Sequence, residues 1–462
     1  MNVELTAQAT DEALAKGVRQ FQGVLSGDDR SHAEDLLVLM QPPHGAVIVD
    51  AGCGIGETAR LMADIRPDLR FILVNTDQHQ LNQAPRKFKR VLANYCAMPL
   101  PDASADVVMF CYAACHCADW PVMLAEARRV LKPGGTLFMH EPANVGGADW
   151  ALWHAIGAHL RTPAEMGGLA GDAGFALDLT HALEGTDQFQ TLVGAEAAQA
   201  IWHGAASVVL RFTRRCAVTD AFARHERVAL QFSGGRDSTA TLYMLRHFWQ
   251  RMTVYHVDTG DQFPETRAVV ARARAEVEAA GGQFEVIRTD VERSRREFGM
   301  PSDLVPADNT PLGRKVAGEG LSIVGRYECC ARNLMLPLHA RMKADGITLL
   351  IRGQRDAEYA TPPLRSGEVA EGFEVLYPIQ SWTGDQVEAY LRRQRLPIAD
   401  FYPEGLRRAP ECMTCTAWWD DGRAQYVRRL YPKQHEIFMA RAEQVREAID
   451  RQRAWLDKEM EA

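Results

Sequence analysis

The sequence predicts an α/β protein built from two doubly wound parallel-sheet domains. Three observations predict it. Short apolar runs alternate with helical stretches, and this alternation occurs twice along the chain. Each alternation opens with a strand that runs straight into a Gly-rich turn. The length, 462 residues, suits roughly two or three domains. Composition sets outer limits. With 47% hydrophobic and 24% charged residues, global disorder and fibrous classes are excluded. A net charge of −8 argues against a broad nucleic-acid-binding face. No uncharged apolar run is long enough for a transmembrane helix. The opening Met1-Asn2-Val3-Glu4-Leu5 lacks a basic and an apolar leader region, so a cytoplasmic location is expected. The ten Cys then sit in a reducing compartment, where clustering suggests metal or redox chemistry before disulfides.

The elements follow in order. Residues 1–45 read as helical. Strands are expected at Ala46-Val47-Ile48-Val49, Phe71-Ile72-Leu73-Val74, Val107-Val108-Met109-Phe110, Thr136-Leu137-Phe138-Met139 and Ser207-Val208-Val209-Leu210-Arg211-Phe212. Continuous apolar runs of this kind suit parallel strands buried on both faces. The second alternation holds Arg227-Val228-Ala229-Leu230-Gln231-Phe232, Met252-Thr253-Val254-Tyr255-His256-Val257 and Thr348-Leu349-Leu350-Ile351. The join at about 216–226 is not rich in Pro, Gly or Ser, so it is no flexible tether. The expected domains are 1–216 and 217–462. The last forty residues read as a helix with a solvated face.

The first glycine loop is Asp50-Ala51-Gly52-Cys53-Gly54-Ile55-Gly56-Glu57. Glycines at alternate positions let backbone pass close to a ligand while a helix begins. The second strand ends at Val74-Asn75-Thr76-Asp77, where a ribose-binding polar group belongs. Further on, Arg129-Val130-Leu131-Lys132-Pro133-Gly134-Gly135 reads as a helix stop and turn before a strand. Together these resemble class I S-adenosylmethionine-dependent methyltransferases over about residues 30–215. Ala113-Ala114-Cys115-His116-Cys117 is similar to the sterol and small-molecule branch. The resemblance implies a Rossmann-like domain that binds S-adenosylmethionine, with Asp50 in the loop motif. Gly52, Gly54 and Gly56 would face the methionine moiety and Asn75 the ribose. Asn94 would stand near the adenine. Family members usually carry acids at the positions of Asn75 and Asn94, and a neutral acceptor is weaker than a charged one. His116 is either a general base near the methyl acceptor or a packed histidine at a strand end.

The second loop is Phe232-Ser233-Gly234-Gly235-Arg236-Asp237-Ser238, again between a strand and a helix. Successive N–H groups, a helix N-terminus, and the Ser233 and Ser238 hydroxyls make an anion nest suited to phosphate. It matches the SGGxDS loop of PP-loop ATP pyrophosphatases. Asp258-Thr259-Gly260-Asp261-Gln262-Phe263-Pro264-Glu265-Thr266 matches the DTGxxFPET segment of phosphoadenylyl-sulfate and adenylyl-sulfate reductases. Gly353-Gln354-Arg355-Asp356-Ala357-Glu358 and Tyr377-Pro378-Ile379-Gln380-Ser381-Trp382-Thr383 resemble two later segments of that family. The resemblance implies an adenine nucleotide alpha hydrolase-like fold that takes ATP or an adenylylated sulfate. Ser233, Gly234, Gly235, Asp237, Ser238, Asp258, Thr259, Gly260 and Glu265 would line the nucleotide site. Arg355 is the expected partner of the sulfate or phosphate, since a guanidinium offers bidentate contacts.

Glu328-Cys329-Cys330 precedes Cys412-Met413-Thr414-Cys415 by about eighty residues. Four thiolates suffice for a [4Fe–4S] cluster or a four-cysteine zinc site. Adjacent Cys329 and Cys330 fit zinc spacing poorly, and the CC…CxxC pattern resembles cluster-containing adenylyl-sulfate reductases. The iron–sulfur reading is therefore favoured. Those reductases also use a nucleophilic Cys near the C-terminus, whereas Thr416 to Ala462 holds none.

Three functions follow. One is a reductase-like oxidoreductase fed by a thiol or electron donor protein. Another is an ATP-pyrophosphatase-type sulfur transferase whose product the first domain methylates. The third is a non-catalytic nucleotide and cluster binder. Small-molecule substrates are expected. Nucleic acid is possible but not favoured, because Arg293-Ser294-Arg295-Arg296 and Arg407-Arg408 are read as solvated faces. Trp418 and Trp419 are expected to shield the cluster rather than stack on a base.

Overall fold

The computed structural model describes residues 29–148, 153–154, 157–183, 202–304, 311–318, 322–358, 364–406, 411–419 and 422–461. The helical reading of 1–28 and the Arg407-Arg408 pair lie outside the described residues. The chain divides into two compact units. One comprises Met1–Ala223 with Met244–His247, and the other comprises Arg224–Tyr243 with Phe248–Ala462. Both are α/β.

The first unit has strands β1 (Val47–Ala51), β2 (Arg70–Asn75), β3 (Lys89–Leu92), β4 (Ala105–Cys111), β5 (Leu131–Asn144), β6 (Phe175–Leu183) and β7 (Ala205–Arg214). Their order across the sheet is β3-β2-β1-β4-β5-β7-β6. The first five run parallel, and β7 and β6 add antiparallel pairs at one side. Every residue of β1 is buried, as its unbroken apolar run requires. The sequence reading did not separate β3 and β6. Both are edge strands with mostly exposed or half-buried residues, so neither carries a core-strand pattern.

The expected turn at Lys132–Gly135 takes another form. The helix Trp120–Val130 ends, and β5 starts at once. Pairing with β4 then jumps from Ala105↔Leu131 to Val107↔Thr136, so the turn is a bulge inside one long strand. The Lys132 ammonium folds back and donates to the buried Asp106 carboxylate at 2.8 Å. Asp106 also accepts the Val47 N–H at 2.8 Å. Burial alone would raise this carboxyl, but Lys132 holds it below its ordinary value.

The second unit has β8 (Val228–Gln231), β9 (Thr253–Asp258), β10 (Gln283–Arg288), the short pair β11 (Met300–Pro301) and β12 (Ile323–Val324), β13 (Leu349–Ile351), β14 (Val369–Ala370) and β15 (Phe373–Leu376). The main sheet runs β10-β9-β8-β13-β15-β14, parallel except for β14. The SGGRDS, DTGD and GQRDAE segments therefore leave the carboxyl ends of β8, β9 and β13, which lie side by side with β8 in the middle. That edge is where open α/β sheets bind ligands. The tail is a helix, Pro432–Glu461.

Candidate functional sites

In the first unit, Gly52, Gly54 and Gly56 all have positive φ, at 83°, 55° and 76°. Gly52 is the tightest point. A Cβ there would lie 2.5 Å from Ala113 Cβ and 3.7 Å from the Tyr95 ring. The glycine loop is thus pressed against the turns that follow β3 and β4, and a side chain at 52 has no room. Asp50, at the base of the loop, is buried, and burial pushes its carboxyl up to about 7. Asn75 stands beside the loop. Its amide donates to Gly54 O at 3.2 Å and Gln80 Oε1 at 2.7 Å, and its oxygen accepts the Asp77 N–H at 3.2 Å. Asn94 Oδ1 accepts the Cys96 N–H at 2.8 Å. His116 is exposed on a short 3-10 turn, with Nδ1 3.0 Å from Gly157 O. It is therefore not a packed strand-end histidine.

Two further groups at these strand ends escaped the sequence reading. Glu141 is fully buried, and its carboxylate accepts the N–H groups of Ala113, Ala114 and Cys115 at 3.0, 2.8 and 3.1 Å. It fixes the turn that Gly52 abuts. A lone acid after the Phe138-Met139-His140 run was its only signal. Tyr112 has φ 52°, an uncommon conformation for a bulky residue. Its hydroxyl lies 2.8 Å from Ser207 Oγ, which lies 2.7 Å from His140 Nε2. Burial pushes the His140 imidazole down to about 3, so it is neutral. No local pattern links these three residues, because the fold alone brings them together.

In the second unit, Ser233 Oγ accepts the Gly235 N–H at 3.2 Å and lies 3.1 Å from Ser238 Oγ. The helix Arg236–Met244 begins there. Gly353 meets this helix so closely that a Cβ would lie 2.6 Å from the Asp237 carbonyl carbon. That contact carries Arg355 onto the loop. Its Nε donates to Asp237 Oδ1 at 2.5 Å, and its Nη2 lies 3.5 Å from Glu358 Oε1. Tyr402, which the sequence reading missed, covers the loop from another segment. Its hydroxyl accepts the Arg236 N–H at 3.5 Å, and its ring centre lies 4.3 Å from the Arg236 guanidinium. Asp258 accepts the Gly260 N–H at 3.0 Å. Glu265 accepts from the Tyr431 hydroxyl at 2.8 Å and from that of Tyr426.

The four expected metal-ligand cysteines meet in one neighbourhood. Cys329 packs with Val291 and Val324, and Cys412 joins that cluster. Cys330 is pushed up to about 12 by burial, with Cys329 and Cys415 adding to the shift. Burial also pushes Cys412 well up. Among the described residues, no three His, Cys, Asp or Glu side chains gather closely enough to hold a metal ion. The two segments bring their thiols into one neighbourhood without a metal-holding arrangement among the described residues, so the iron–sulfur expectation rests on the CC…CxxC sequence pattern. Burial raises both Cys329 and Cys330, and Arg295 opposes the shift at Cys329 as Arg326 does at Cys330.

Arg295 corrects the reading of residues 293–296 as a solvated face. It is only 3% exposed. Its Nη1 donates to Asp261 Oδ2 at 2.9 Å and Thr414 Oγ1 at 3.2 Å. Asp261 also accepts from Thr414 Oγ1 at 2.6 Å, and its backbone oxygen accepts the Met413 N–H at 2.6 Å. Cys412 Sγ lies 3.5 Å from Thr259 Oγ1. The DTGD turn therefore carries the C-x-x-C loop. Trp418 lies under Arg326 at 4.9 Å, while Trp419 is 43% exposed.

Two families of known proteins match the chain. Residues 49–139 match the methyltransferase domain family, and residues 227–418 match the phosphoadenosine phosphosulfate reductase domain family. The chain carries the first domain in its N-terminal half and the second in its C-terminal half. Dimethylglycine N-methyltransferase of Parasynechococcus marenigrum is 31% identical over 31% of this chain and 54% of its own length. An uncharacterized transposon protein of Streptomyces fradiae is 30% identical over 32% of this chain and 48% of its own. The chain thus spans about half the length of these curated relatives. The solved geranyl diphosphate C-methyltransferase of Streptomyces coelicolor is 14% identical, with 40% of this chain and 77% of that chain covered and a TM-score of 0.35.

No helix among the described residues is long and apolar enough to cross a membrane.

Proposed function

We propose that the protein is a bifunctional enzyme of sulfur metabolism. In this reading the first unit binds S-adenosylmethionine and methylates a small molecule. The observation that carries it is the glycine loop at the carboxyl end of β1, pressed onto the Glu141-clamped turn, within the methyltransferase match. The bound cofactor supplies an electrophilic methyl group. Gly52, Gly54 and Gly56 leave backbone room for it, Asp50 offers a carboxylate, and Asn75 and Asn94 border the ribose and adenine sides. The relatives' names favour a small acceptor.

The second unit binds an adenine nucleotide through Ser233–Ser238, with Asp258, Thr259 and Gly260 on the neighbouring strand end. Arg355 meets the anionic group and Asp237 holds Arg355 in place. Cys329, Cys330, Cys412 and Cys415 would hold a [4Fe–4S] cluster, which supplies electron-transfer or sulfur-handling capacity when bound. Arg295 and Asn333 orient its loops, the latter by donating to Cys329 O at 2.9 Å. The reaction is reduction of an adenylylated sulfate by a thiol or electron donor. A second reading, ATP-driven sulfur transfer with pyrophosphate release, is supported by the match of Ser233–Ser238 to the loop of PP-loop ATP pyrophosphatases.

Anaerobic purification with iron and sulfide counting tests the cluster. Sulfite release from adenylylated sulfate supports reduction, and acceptor-dependent pyrophosphate release from ATP supports sulfur transfer. Calorimetric titration with S-adenosylmethionine tests the first unit. Zinc in place of iron, or no cofactor binding, would overturn the corresponding half.

A further inference from the structure

Two thiols outside the four-cysteine group face each other in the first unit. Cys96 Sγ and Cys117 Sγ are 3.8 Å apart. Cys96 is half-buried in the turn after β3, one residue past Tyr95 and two past Asn94. Cys117 is 5% exposed in the turn after β4, just beyond the residues that Glu141 clamps. The same two turns are already tied by the Tyr95 hydroxyl, which donates to Ala113 O at 3.2 Å. They also supply the groups that crowd Gly52, namely Ala113 and the Tyr95 ring. The thiols therefore bridge the two walls of the glycine loop.

We propose that Cys96 and Cys117 are a peroxide-sensitive pair that closes to a disulfide and fixes the turns around the glycine loop. Closure moves the sulfurs from 3.8 Å to a bond of about 2.05 Å, a shift that side-chain rotation and a small movement of one turn supply. The roles of the two differ. Arg161, whose guanidinium stacks over Trp120 at 4.7 Å, lies near Cys117 and not in the turn that carries Cys96. Cys96 is pushed up to about 12 by burial and by Cys117, so it stays a thiol. Cys117 attacks hydrogen peroxide, the O–O bond breaks, and hydroxide leaves, which gives a sulfenic acid. Cys96 sulfur then attacks the sulfenic sulfur. The S–O bond breaks, and the departing hydroxide takes the Cys96 proton as water. Overall, two thiols and one peroxide give one disulfide and two waters, with two electrons passing from sulfur to oxygen. A buried attacking sulfur admits this small oxidant more readily than a bulky disulfide. In a reducing compartment the bond would be transient, as a sensor requires.

The consequence for cofactor binding rests on the S-adenosylmethionine reading, while the cross-link itself does not. The test uses the full chain, reduced, treated with hydrogen peroxide and then alkylated. Cleavage before Asp102 and Asp106 puts Cys96 and Cys117 on separate peptides. The expected product joins those peptides, is reversed by dithiothreitol, and vanishes in Cys96→Ser and Cys117→Ser. In Cys96→Ser, Cys117 should be trapped as a sulfenic acid by dimedone. Both cysteines alkylated singly, or a bond from Cys96 to Cys111 or Cys115, would overturn the proposal. Calorimetry on the oxidised wild type should show S-adenosylmethionine binding weaker by about tenfold or more. A cross-link that leaves affinity unchanged overturns its effect on the loop. Failure of the reduced protein to bind S-adenosylmethionine counts against the cofactor reading alone, and the peptide map still decides the cross-link.

Discussion

The two glycine loops have the same position in their sheets and opposite chemistry. Each leaves the carboxyl end of a central parallel strand and enters a helix. The first is bordered by a buried carboxyl, Asp50, and by a neutral amide, Asn75. The second is bordered by two guanidiniums, Arg236 and Arg355, and by the hydroxyls of Ser233, Ser238 and Tyr402. A helix N-terminus favours anions in both. What differs is the side-chain charge placed around that shared feature. In the proposed reading, the first loop would take a ligand with cationic character and the second a phosphate or sulfate.

The largest expected effect tests the anionic side. Arg355→Ala removes a charge-assisted contact and leaves Asp237 facing the ligand alone. Nucleotide affinity should fall by about 2–3 kcal/mol, roughly thirty- to a hundred-and-fifty-fold, measured by titration with ATP. S-adenosylmethionine affinity should not change. Equal loss of both would break the comparison. Next is Gly52→Ala. The added Cβ meets Ala113 at 2.5 Å on a backbone with φ 83°. S-adenosylmethionine affinity should fall by about 2 kcal/mol, with ATP binding intact.

These two substitutions rest on features that the sequence displays to different degrees. Gly52 and the SGGRDS loop are visible as local patterns, because strand, turn and helix follow one another within a few residues. Arg355 is visible only through a distant segment, and its contact with Asp237 spans 118 residues. Tyr402, Glu141 and the Tyr112–Ser207–His140 group have no local pattern that marks a site. Their function depends on where strand order places them, and strand order is a long-range property. Arg295 was misread for the same reason. A basic run is normally solvated, but Asp261 and Thr414 enclose this one guanidinium from distant loops. Core strands such as β1, β4 and β9 were legible because burial makes them largely apolar, whereas the four-residue interior strand β15 was too short to stand out. The edge strands β3 and β6 were not legible, since exposure dilutes that signal.

A pH series sharpens the first loop's assignment. Burial raises the Asp50 carboxyl from 3.8 to about 7 in the folded protein, so it is largely protonated below that value. The folded state then binds a proton that the unfolded state has lost. Asp50 therefore lowers stability as pH rises from about 4 towards 7. A sulfonium ligand prefers the carboxylate, so S-adenosylmethionine affinity should increase with pH and level off above about 7. Below that pH, binding should release a proton, which calorimetry in buffers of different ionisation enthalpy detects. Asp50→Asn should flatten the profile. A flat profile in the wild type would mean that the ligand's charge does not meet Asp50.

The smallest expected effect concerns Tyr402. Its hydroxyl reaches the Arg236 N–H and its ring supports the Arg236 guanidinium. Tyr402→Phe keeps the stacking and removes only the hydroxyl. If the hydroxyl serves the anion nest, ATP affinity should fall by about 1 kcal/mol, roughly fivefold. If the ring alone matters, Tyr402→Phe should bind like the wild type, and Tyr402→Ala should lose the cation–π support, about 0.5–1 kcal/mol at a partly exposed site. Salt separates these contributions from the first loop. Added salt should weaken ATP binding through screening of Arg236 and Arg355, and should weaken S-adenosylmethionine binding less, since the Asp50 carboxyl is buried. Equal salt dependence at both loops would mean that the charges around them do not set which ligand each one takes.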